Sequence, residues 1–406
     1  MSDSATATAV QPESGRNWLL PLVLYCVGHF LVDMYQTSLG TLQPVLQGRY
    51  NLNFTQAGVL AGCYVCSGAM MQPLYGYLCD RFPSRLYSAL GPAIIAVFLA
   101  CIGYAVGFYS LLTMAILGGV GAASFHPQAA SNAVAAITRN RGSAMALFIS
   151  CGTFGMAAGP VCFSPLLDWL GLEKLPLAAA PGLALTAMML LLLPPTRQSR
   201  RGRSEFDWAP LRAVRRPMTI LFVLVLIRSI VQVTFAQFLP LYLHSARHYT
   251  VSQAAVSLSI YLFGGGIGSF AGGALSDRYG ARRIILISMI GSVPFLALFV
   301  FTQGILSTVG LWLGGLILLF TMPVNVVLAQ ELVPAQAGTV SALMMGFAWG
   351  VAGFFFIPLV GWIADLWSMQ IGFAFLIVFP ILGYLVGLKL PRDLGVPAAA
   401  KAGSHV

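Results

Sequence analysis

The sequence predicts an all-α polytopic membrane protein, with twelve transmembrane helices in two pseudo-symmetric six-helix bundles. Of its 406 residues, 58% are hydrophobic and 8% are charged, and the mean hydropathy is +0.83. A water-soluble domain of this composition would lack polar residues to cover its surface. A charged motif also occurs twice, 197 positions apart, which predicts that one membrane unit is duplicated.

Twelve apolar runs have about the ~20 residues that a helix needs to cross a bilayer. In chain order they cover 18–47, 54–78, 86–107, 109–134, 143–170, 176–193, 218–243, 253–275, 283–303, 308–330, 338–365 and 370–390. They predict an N-terminal tail at 1–17, a bundle at 18–193, a linker at 194–217, a second bundle at 218–390 and a C-terminal tail at 391–406.

The distribution of basic residues predicts the orientation. Of 22 Lys and Arg, 18 fall in the tails and loops on the N-terminal side of this topology. Cytoplasmic loops carry such an excess, so both termini are predicted to be cytoplasmic. The first apolar run is too long for the core of a signal peptide, and we expect it to be retained.

The linker 194–217 carries seven arginines against Glu205 and Asp207. Topology and anchoring to the lipid bilayer explain a short basic loop, and a surface for nucleic acid or anionic lipid is the alternative. We therefore expect no nucleic-acid partner.

No metal or cofactor is predicted. All seven cysteines lie within or beside apolar runs of the first half, and the C-x-x-C pair Cys63 and Cys66 has no histidine or acidic neighbour. Small packing residues fit this pattern better than zinc or redox chemistry. No segment resembles a nucleotide-binding loop.

The duplicated motif follows the second helix of each half. Its second copy reads G-x-L-x-D-R-x-G-x-R-R, and in the first copy Pro83 and Ser84 interrupt it. An acid at a helix end can cap a neighbouring helix while the arginines pair across the bundle, so we interpret the motif as a gate between conformations; a charged turn that only fixes topology is the alternative. The gate residues are Gly76, Asp80, Arg81, Gly273, Asp277, Arg278, Arg282 and Arg283.

These features together resemble the major facilitator superfamily: twelve spans in two halves, a basic central loop and this motif after the eighth span. Gly155, Gly159 and Pro160 form a G-x-x-x-G-P segment similar to the antiporter signature of that superfamily. G-x-x-x-G also serves ordinary helix packing.

Four further segments resemble the fosmidomycin resistance protein family. They are Gly28–Gln36, Gln72–Gly76, Phe125–Gln128 and Ala329–Pro334. The resemblance implies proton-driven export of a small drug. Members of that family carry an acid directly after the His-Pro pair and an arginine three positions later, where this chain has Gln128 and Ser131.

Asp33 is the leading candidate for proton coupling, because it lies about 15 residues (~22 Å) into the first span. His29 and Gln36, one turn before and after it, share its helix face. An ionisable group at this depth is costly unless it faces a cavity or a partner. A satisfied polar seam between helices is the alternative.

Arg228 lies ~15 Å into the seventh span, which is the structural counterpart of the first, and Gln232 continues its face. An arginine there keeps its proton, so it must meet an acid or an anion. Asp33 is its expected partner across the interface between the halves. We predict that His29, Asp33, Gln36, His126, Arg228 and Gln232 line a substrate cavity.

His126, beside Pro127 in the fourth span, is predicted either to relay protons or to support a Pro kink. Glu331, at the cytoplasmic end of the tenth span, is a further candidate for proton linkage or for a gate ion pair.

The sequence thus predicts a proton-coupled antiporter, acting as a monomer, that exports a small drug-like, anionic or amphiphilic compound. An importer of an organic anion or siderophore by proton symport is the alternative, and a membrane-embedded enzyme is a third reading. The histidines, however, are scattered through both halves and do not cluster with a nucleophile.

Overall fold

The computed structural model describes residues 19–82, 84–133, 137, 141–194 and 209–391. The predicted tail 1–17, the predicted tail 391–406 except for its first residue, and most of the predicted linker 194–217 lie outside these residues. The end of the linker forms a short helical turn, Ala209–Ala213, followed by the start of a transmembrane helix at Arg215.

Twelve helices account for the described chain. They are α1 Leu19–Tyr50, α2 Phe54–Cys79, α3 Leu86–Tyr104, α4 Phe108–Ala133, α5 Arg141–Lys174, α6 Ala180–Leu192, α7 Arg215–Arg247, α8 Val251–Tyr279, α9 Ala281–Phe301, α10 Gly304–Leu332, α11 Ala337–Leu366 and α12 Met369–Gly387. The fold class predicted from the sequence is confirmed.

Eleven segments of the described chain are long and apolar enough to cross a membrane. The difference from twelve arises because one segment of 50 residues, Ser143–Leu192, holds two predicted spans. Gly171 breaks this segment with φ 65°, a left-handed conformation that glycine adopts at little cost.

Buried apolar side chains form two clusters. One contains side chains of α1 to α6, and the other contains side chains of α7 to α12 together with Ala57 and Ala61 of α2. Each half therefore has a hydrophobic core of its own, and α2 contributes to both.

The pseudo-symmetry extends to individual hydrogen bonds. Asn53 begins α2 with a capping box, and Thr250, 197 positions later, begins α8 with another. The duplicated motif shows the same correspondence: Arg85 donates to the Leu193 carbonyl oxygen just after α6, and Arg282 Nε donates to that of Leu390 just after α12, at 3.0 Å. These arginines satisfy carbonyls that a helix end leaves free.

The other motif residues form no bridge between the halves in this conformation, as far as the structure describes them. Asp277 and Arg283 are exposed, and Arg278 lies over the ring of its neighbour Tyr279, 5.2 Å from the centroid. Arg81 is also exposed, and the side chain of Asp80 lies outside the described part. The contacts that the motif does make fasten the last helix within each half.

An acid joins the halves where α1 ends and α2 begins, which we call the α1–α2 end. Asp365 of α11 accepts hydrogen bonds from the backbone N–H groups of Phe54 and Thr55, at 2.9 and 2.8 Å, and from the Thr55 hydroxyl at 2.6 Å. A carboxylate at a helix N-terminus is favourable because it meets free N–H groups and the positive end of the helix dipole. Asp168, its counterpart on α5, is exposed and forms no such cap.

Removing the Asp365 carboxylate should open the α1–α2 end. Loss of an N-cap typically costs about 1 kcal/mol, so Asp365→Ala should raise the open population by roughly fivefold. Spin labels at Gly48→Cys and Leu306→Cys in a cysteine-free background would report this as a longer distance in electron–electron double resonance. Asp168→Ala is the matched control, and identical distance distributions for both variants would contradict the assignment.

Candidate functional site

Asp33 lies on the first half of α1 and is only 7% exposed. Its Oδ2 is 3.3 Å from His29 Nε2, one turn earlier on the same helix. Its Oδ1 accepts a hydrogen bond from Gln36 Nε2 at 3.2 Å, one turn later. The face predicted for these three residues is thus a set of direct contacts.

A second histidine reaches the same carboxylate from α4. His126 Nε2 is 3.3 Å from Asp33 Oδ1 and 2.7 Å from Gln36 Nε2. Pro127 follows inside the helix, where a proline removes one backbone hydrogen bond. We call His29, Asp33, Gln36 and His126 the acid cluster.

α5 forms the wall behind the acid cluster. The Phe148 carbonyl oxygen accepts a hydrogen bond from His29 Nδ1 at 2.8 Å, and the Phe148 ring stacks on the imidazole with centroids 4.2 Å apart. One turn on, a Cβ at Gly152 would lie 2.6 Å from Asp33 Oδ2. Gly155 and Gly159 of the predicted antiporter motif press against the carbonyls of Phe30 and Met34. These glycines let the backbone of α5 pack directly on α1 beside Asp33.

The hydrogen bonds identify where a proton must lie. Because the Phe148 carbonyl can only accept, His29 Nδ1 carries the hydrogen, and a neutral His29 then presents a lone pair at Nε2. That lone pair would face Asp33 Oδ2 across 3.3 Å. The contact is attractive only when one further proton lies on His29 or on Asp33.

His126 has a different hydrogen-bonding role. The Gln36 amide nitrogen donates and carries no lone pair for accepting, so His126 Nε2 accepts from it. Gln36 therefore lies between two acceptors, His126 and Asp33. One nitrogen or oxygen atom from each of His29, Asp33 and His126 could bind a metal ion, and these atoms lie within 4.8 Å of one another. We interpret the group as a hydrogen-bonded proton site. The prediction that no metal binds stays a prediction.

Arg228 lies on α7, is 2% exposed, and does not pair with Asp33. Its Nη1 donates to Gln232 Oε1 and its Nη2 to Ser229 Oγ at 3.2 Å. The guanidinium carbon lies 5.8 Å from the Trp349 ring centroid of α11. The predicted Asp33–Arg228 ion pair is therefore wrong for this conformation. The Asp33 carboxylate instead contacts His29 and His126, two histidines of the N-terminal half.

Two predicted residues lie outside these clusters. Glu331 is exposed at the end of α10 and forms no ion pair within the described part of the chain. Gln128 stands where the resembled family has an acid; it accepts from Ser88 N at 2.8 Å and donates to the Ser84 carbonyl at 2.6 Å. Its role is to hold α4 to the start of α3.

Sequence reasoning missed Trp349. The 197-residue offset pairs it with Gly152, so each half places its own residue beside the buried ionisable group of its first helix. The 197-residue offset could have indicated Trp349 as the counterpart of Gly152, but glycine and tryptophan are too different for the correspondence to be noticed.

Comparisons with known proteins agree with this architecture. The family model described as Major Facilitator Superfamily matches residues 25–357 and 247–404. The chain is 31% identical to the MFS-type transporter YfnC of Bacillus subtilis (strain 168), over 92% of this chain and 93% of the relative. It is 26% identical to the fosmidomycin resistance protein of Escherichia coli (strain K12), over 88% of this chain and 90% of that protein.

Solved structures share the fold. A bacterial homologue of the human lysosomal transporter Spinster, in an inward-facing and occupied conformation, matches with a TM-score of 0.76 at 13% identity, covering 91% of this chain and 96% of that one. The nucleoside transporter NupG matches with a TM-score of 0.71 at 16% identity, covering 92% and 99%.

Filling the space at Gly152 should disturb the acid cluster. Gly152→Ala places a Cβ against His29 and Asp33, and overpacking of this kind typically costs about 1–3 kcal/mol. The purified variant should unfold at a lower temperature than wild type. Gly48→Ala, where no atom lies within 4 Å of the added carbon, is the control; equal unfolding temperatures for both variants would show that α5 does not contact the cluster closely.

Proposed function

We propose a specific activity for this chain, which belongs to the Major Facilitator Superfamily and is therefore a membrane transporter and not an enzyme. The proposed activity is that of a proton-coupled antiporter. It exports a small drug-like, anionic or amphiphilic compound across the bacterial inner membrane. The observation that carries the proposal is the contact between His29 Nε2 and Asp33 Oδ2, which requires a proton. Asp33 is the only carboxylate that the sequence places in the middle of a predicted span.

The acid cluster has the chemistry of a proton carrier. With the proton bound, His29 and Asp33 share it. Without it, a buried carboxylate faces a lone pair, and charge in a poorly hydrated site is costly. Histidine changes charge between pH 5 and 8 in ordinary surroundings, so the proton can be taken up and released under cellular conditions.

Gln36 connects the proton to the interface between the halves. Its side chain donates to Asp33, while its backbone carbonyl accepts from the Tyr64 hydroxyl of α2 at 3.3 Å and from Gln237 Nε2 of α7 at 3.4 Å. The helix is interrupted at the next residue, Thr37, so α1 can bend here. Loss of the proton would shift Gln36 and thereby loosen the contact between α1 and α7.

Alternating access then follows from two states that differ in proton occupancy. Substrate and proton compete for the cavity predicted around the acid cluster, Arg228 and Gln232, so that binding of one favours release of the other. Competition of this kind makes exchange obligatory. His126 is the second place that the proton could occupy.

The direction of transport is proposed from a relative. The name of the fosmidomycin resistance protein links it to resistance against a drug, and export of the compound would produce resistance. The gate motif would make contacts between the halves in the opposite conformation. Both termini are proposed to be cytoplasmic, with the monomer as the transporting unit.

Asp33→Asn should abolish coupling, because an amide cannot exchange a proton in this pH range. Proteoliposomes with an internal pH dye and an imposed gradient would be given fosmidomycin and a panel of anionic and amphiphilic compounds. Wild type should dissipate the gradient only with a transported compound, and Asp33→Asn should not. Asp168→Asn, an exposed acid outside the cluster, is the control.

Coupling that survives in Asp33→Asn would contradict the assignment of the proton site. Substrate flux in the same direction as the protons would replace antiport with symport and thus favour an importer.

The two histidines should differ in their effects. His29→Gln removes the partner that shares the proton, and we expect proton movement to fall at least tenfold, within the range of a lost positioned acid–base group. Glutamine at His126 can still accept from Gln36 through its amide oxygen, so His126→Gln should keep much of the activity. The same dye assay measures both, and the reverse order would move the shared proton to His126.

A further inference from the structure

We propose that the C-terminal half holds a separate oxyanion-binding pocket, formed by Arg228, Trp349 and Tyr261, which receives the acidic group of the transported compound. The inference rests on the proposed transport function and names the chemical class of the substrate: a compound with a carboxylate or phosphoryl group. Neither Trp349 nor Tyr261 is used by the proton site.

Arg228 is a buried cation without a counter-ion. Its two hydrogen-bond partners, Gln232 and Ser229, are neutral, and its Nε–H has no acceptor. No carboxylate lies within ion-pair distance of it in the described part of the chain, and Asp33 already contacts two histidines. A guanidinium retains its charge, and burial of an unpaired charge is strongly unfavourable. The missing partner is therefore an anion.

Two further buried donors lie on side chains packed around this part of α7. Trp349 Nε1 and the Tyr261 hydroxyl are both buried and both lack a hydrogen-bond partner. The Trp349 ring lies 5.8 Å from the guanidinium carbon. The Tyr261 ring stacks on Phe235, two turns after Arg228 on α7, with centroids 5.0 Å apart. Buried polar groups nearly always have partners. Arg228 Nε, Trp349 Nε1 and the Tyr261 hydroxyl are therefore three donors without an acceptor. Together they indicate a site for oxygen atoms that carry negative charge.

The backbone at Trp349 is also unusual. Two π-helical segments, Ala342–Phe347 and Ala352–Phe356, flank this residue in α11. π-helical turns are rare and occur frequently at functional sites. They displace the side chains of α11 from regular helical register, which places the Trp349 ring beside the guanidinium of α7.

The N-terminal half shows what these positions do when no anion is needed. Tyr64, the counterpart of Tyr261, donates its hydroxyl to the Gln36 carbonyl at 3.3 Å. Gly152, the counterpart of Trp349, offers no side-chain donor. In this proposal the N-terminal half binds the proton and the C-terminal half binds the anion.

The pocket can be tested by binding alone, without any gradient. Purified protein would be titrated with benzoate, phenylphosphonate and the neutral isostere benzamide at constant ionic strength, and thermal unfolding would report binding. We expect the two anions to raise the unfolding temperature and benzamide to leave it unchanged. Arg228→Gln should weaken binding by about 10- to 100-fold.

The other two donors need subtler variants. Trp349→Phe and Tyr261→Phe keep the aromatic ring and remove one donor, and each should weaken anion binding by about tenfold. Tyr64→Phe is the matched control and should bind benzoate as wild type does. Arg228→Lys keeps the charge but loses the planar fork of donors, so it should recover only part of the affinity.

Stability without ligand separates a binding role from a structural one. Arg228→Gln should unfold at the same temperature as wild type or higher, because it removes an unpaired buried charge. A lower unfolding temperature would show that Arg228 stabilises the fold instead, and would overturn the proposal. Benzamide binding as well as benzoate, or no stabilisation by either anion, would overturn it too.

Failure of this pocket and failure of the transport proposal are distinguishable. Asp168→Asn, which removes an exposed acid outside both sites, should keep the benzoate affinity of wild type. Anion binding without coupled proton movement would refute the antiport proposal and leave the pocket intact. Coupled transport without selective anion binding would refute the pocket alone.

Discussion

A carboxylate buried in a membrane bundle has to be neutralised from within the protein, because hydrocarbon supplies neither water nor counter-ions. Asp33 meets this requirement through its contacts with His29 and Gln36, while His126 of α4 accepts from the same Gln36 amide. The close packing of α5 on α1 at Gly152 follows from it, since a bulkier residue there would displace His29 from the acid. The interruption of α1 at Thr37 lies directly beside this cluster.

Duplication supplied the scaffold and then permitted divergence. Arg85 and Arg282 fasten equivalent helices in the two halves, and the capping boxes of α2 and α8 are equivalent too. At the centre the halves differ: an acid with histidines lies on one side, and an arginine with a tryptophan on the other. The α1–α2 end differs as well, because Asp365 caps α2 while Asp168 leaves α8 without this contact.

Hydropathy was sufficient to predict the spans, because a helix must be about 20 apolar residues long to cross the bilayer. Helical spacing placed His29, Asp33 and Gln36 on one face correctly, since those three contacts lie within one helix. Contacts between different helices were harder to predict from the sequence. The Asp33–Arg228 pair was inferred because both residues lie within corresponding spans at the interface between the halves. That position does not say which way a helix is rotated, and Arg228 lies beside Trp349 of α11. The sequence did not single out Trp349, because an aromatic residue in an apolar run usually packs against other apolar side chains. The gate motif was recognised, yet its visible contacts lie within each half, which a linear pattern cannot reveal.

Proton release upon ligand binding would test the central claim most directly, namely that substrate and proton compete through Asp33. Purified wild type in weakly buffered detergent solution would be mixed with phenylphosphonate, and a pH dye would record the protons released. The account predicts release of about one proton per bound anion from wild type, because the bound anion and the bound proton belong to alternate states of the transporter. It predicts no release from Asp33→Asn at equal anion occupancy. Equal release from both proteins would contradict it, because the exchanged proton would then lie on another residue.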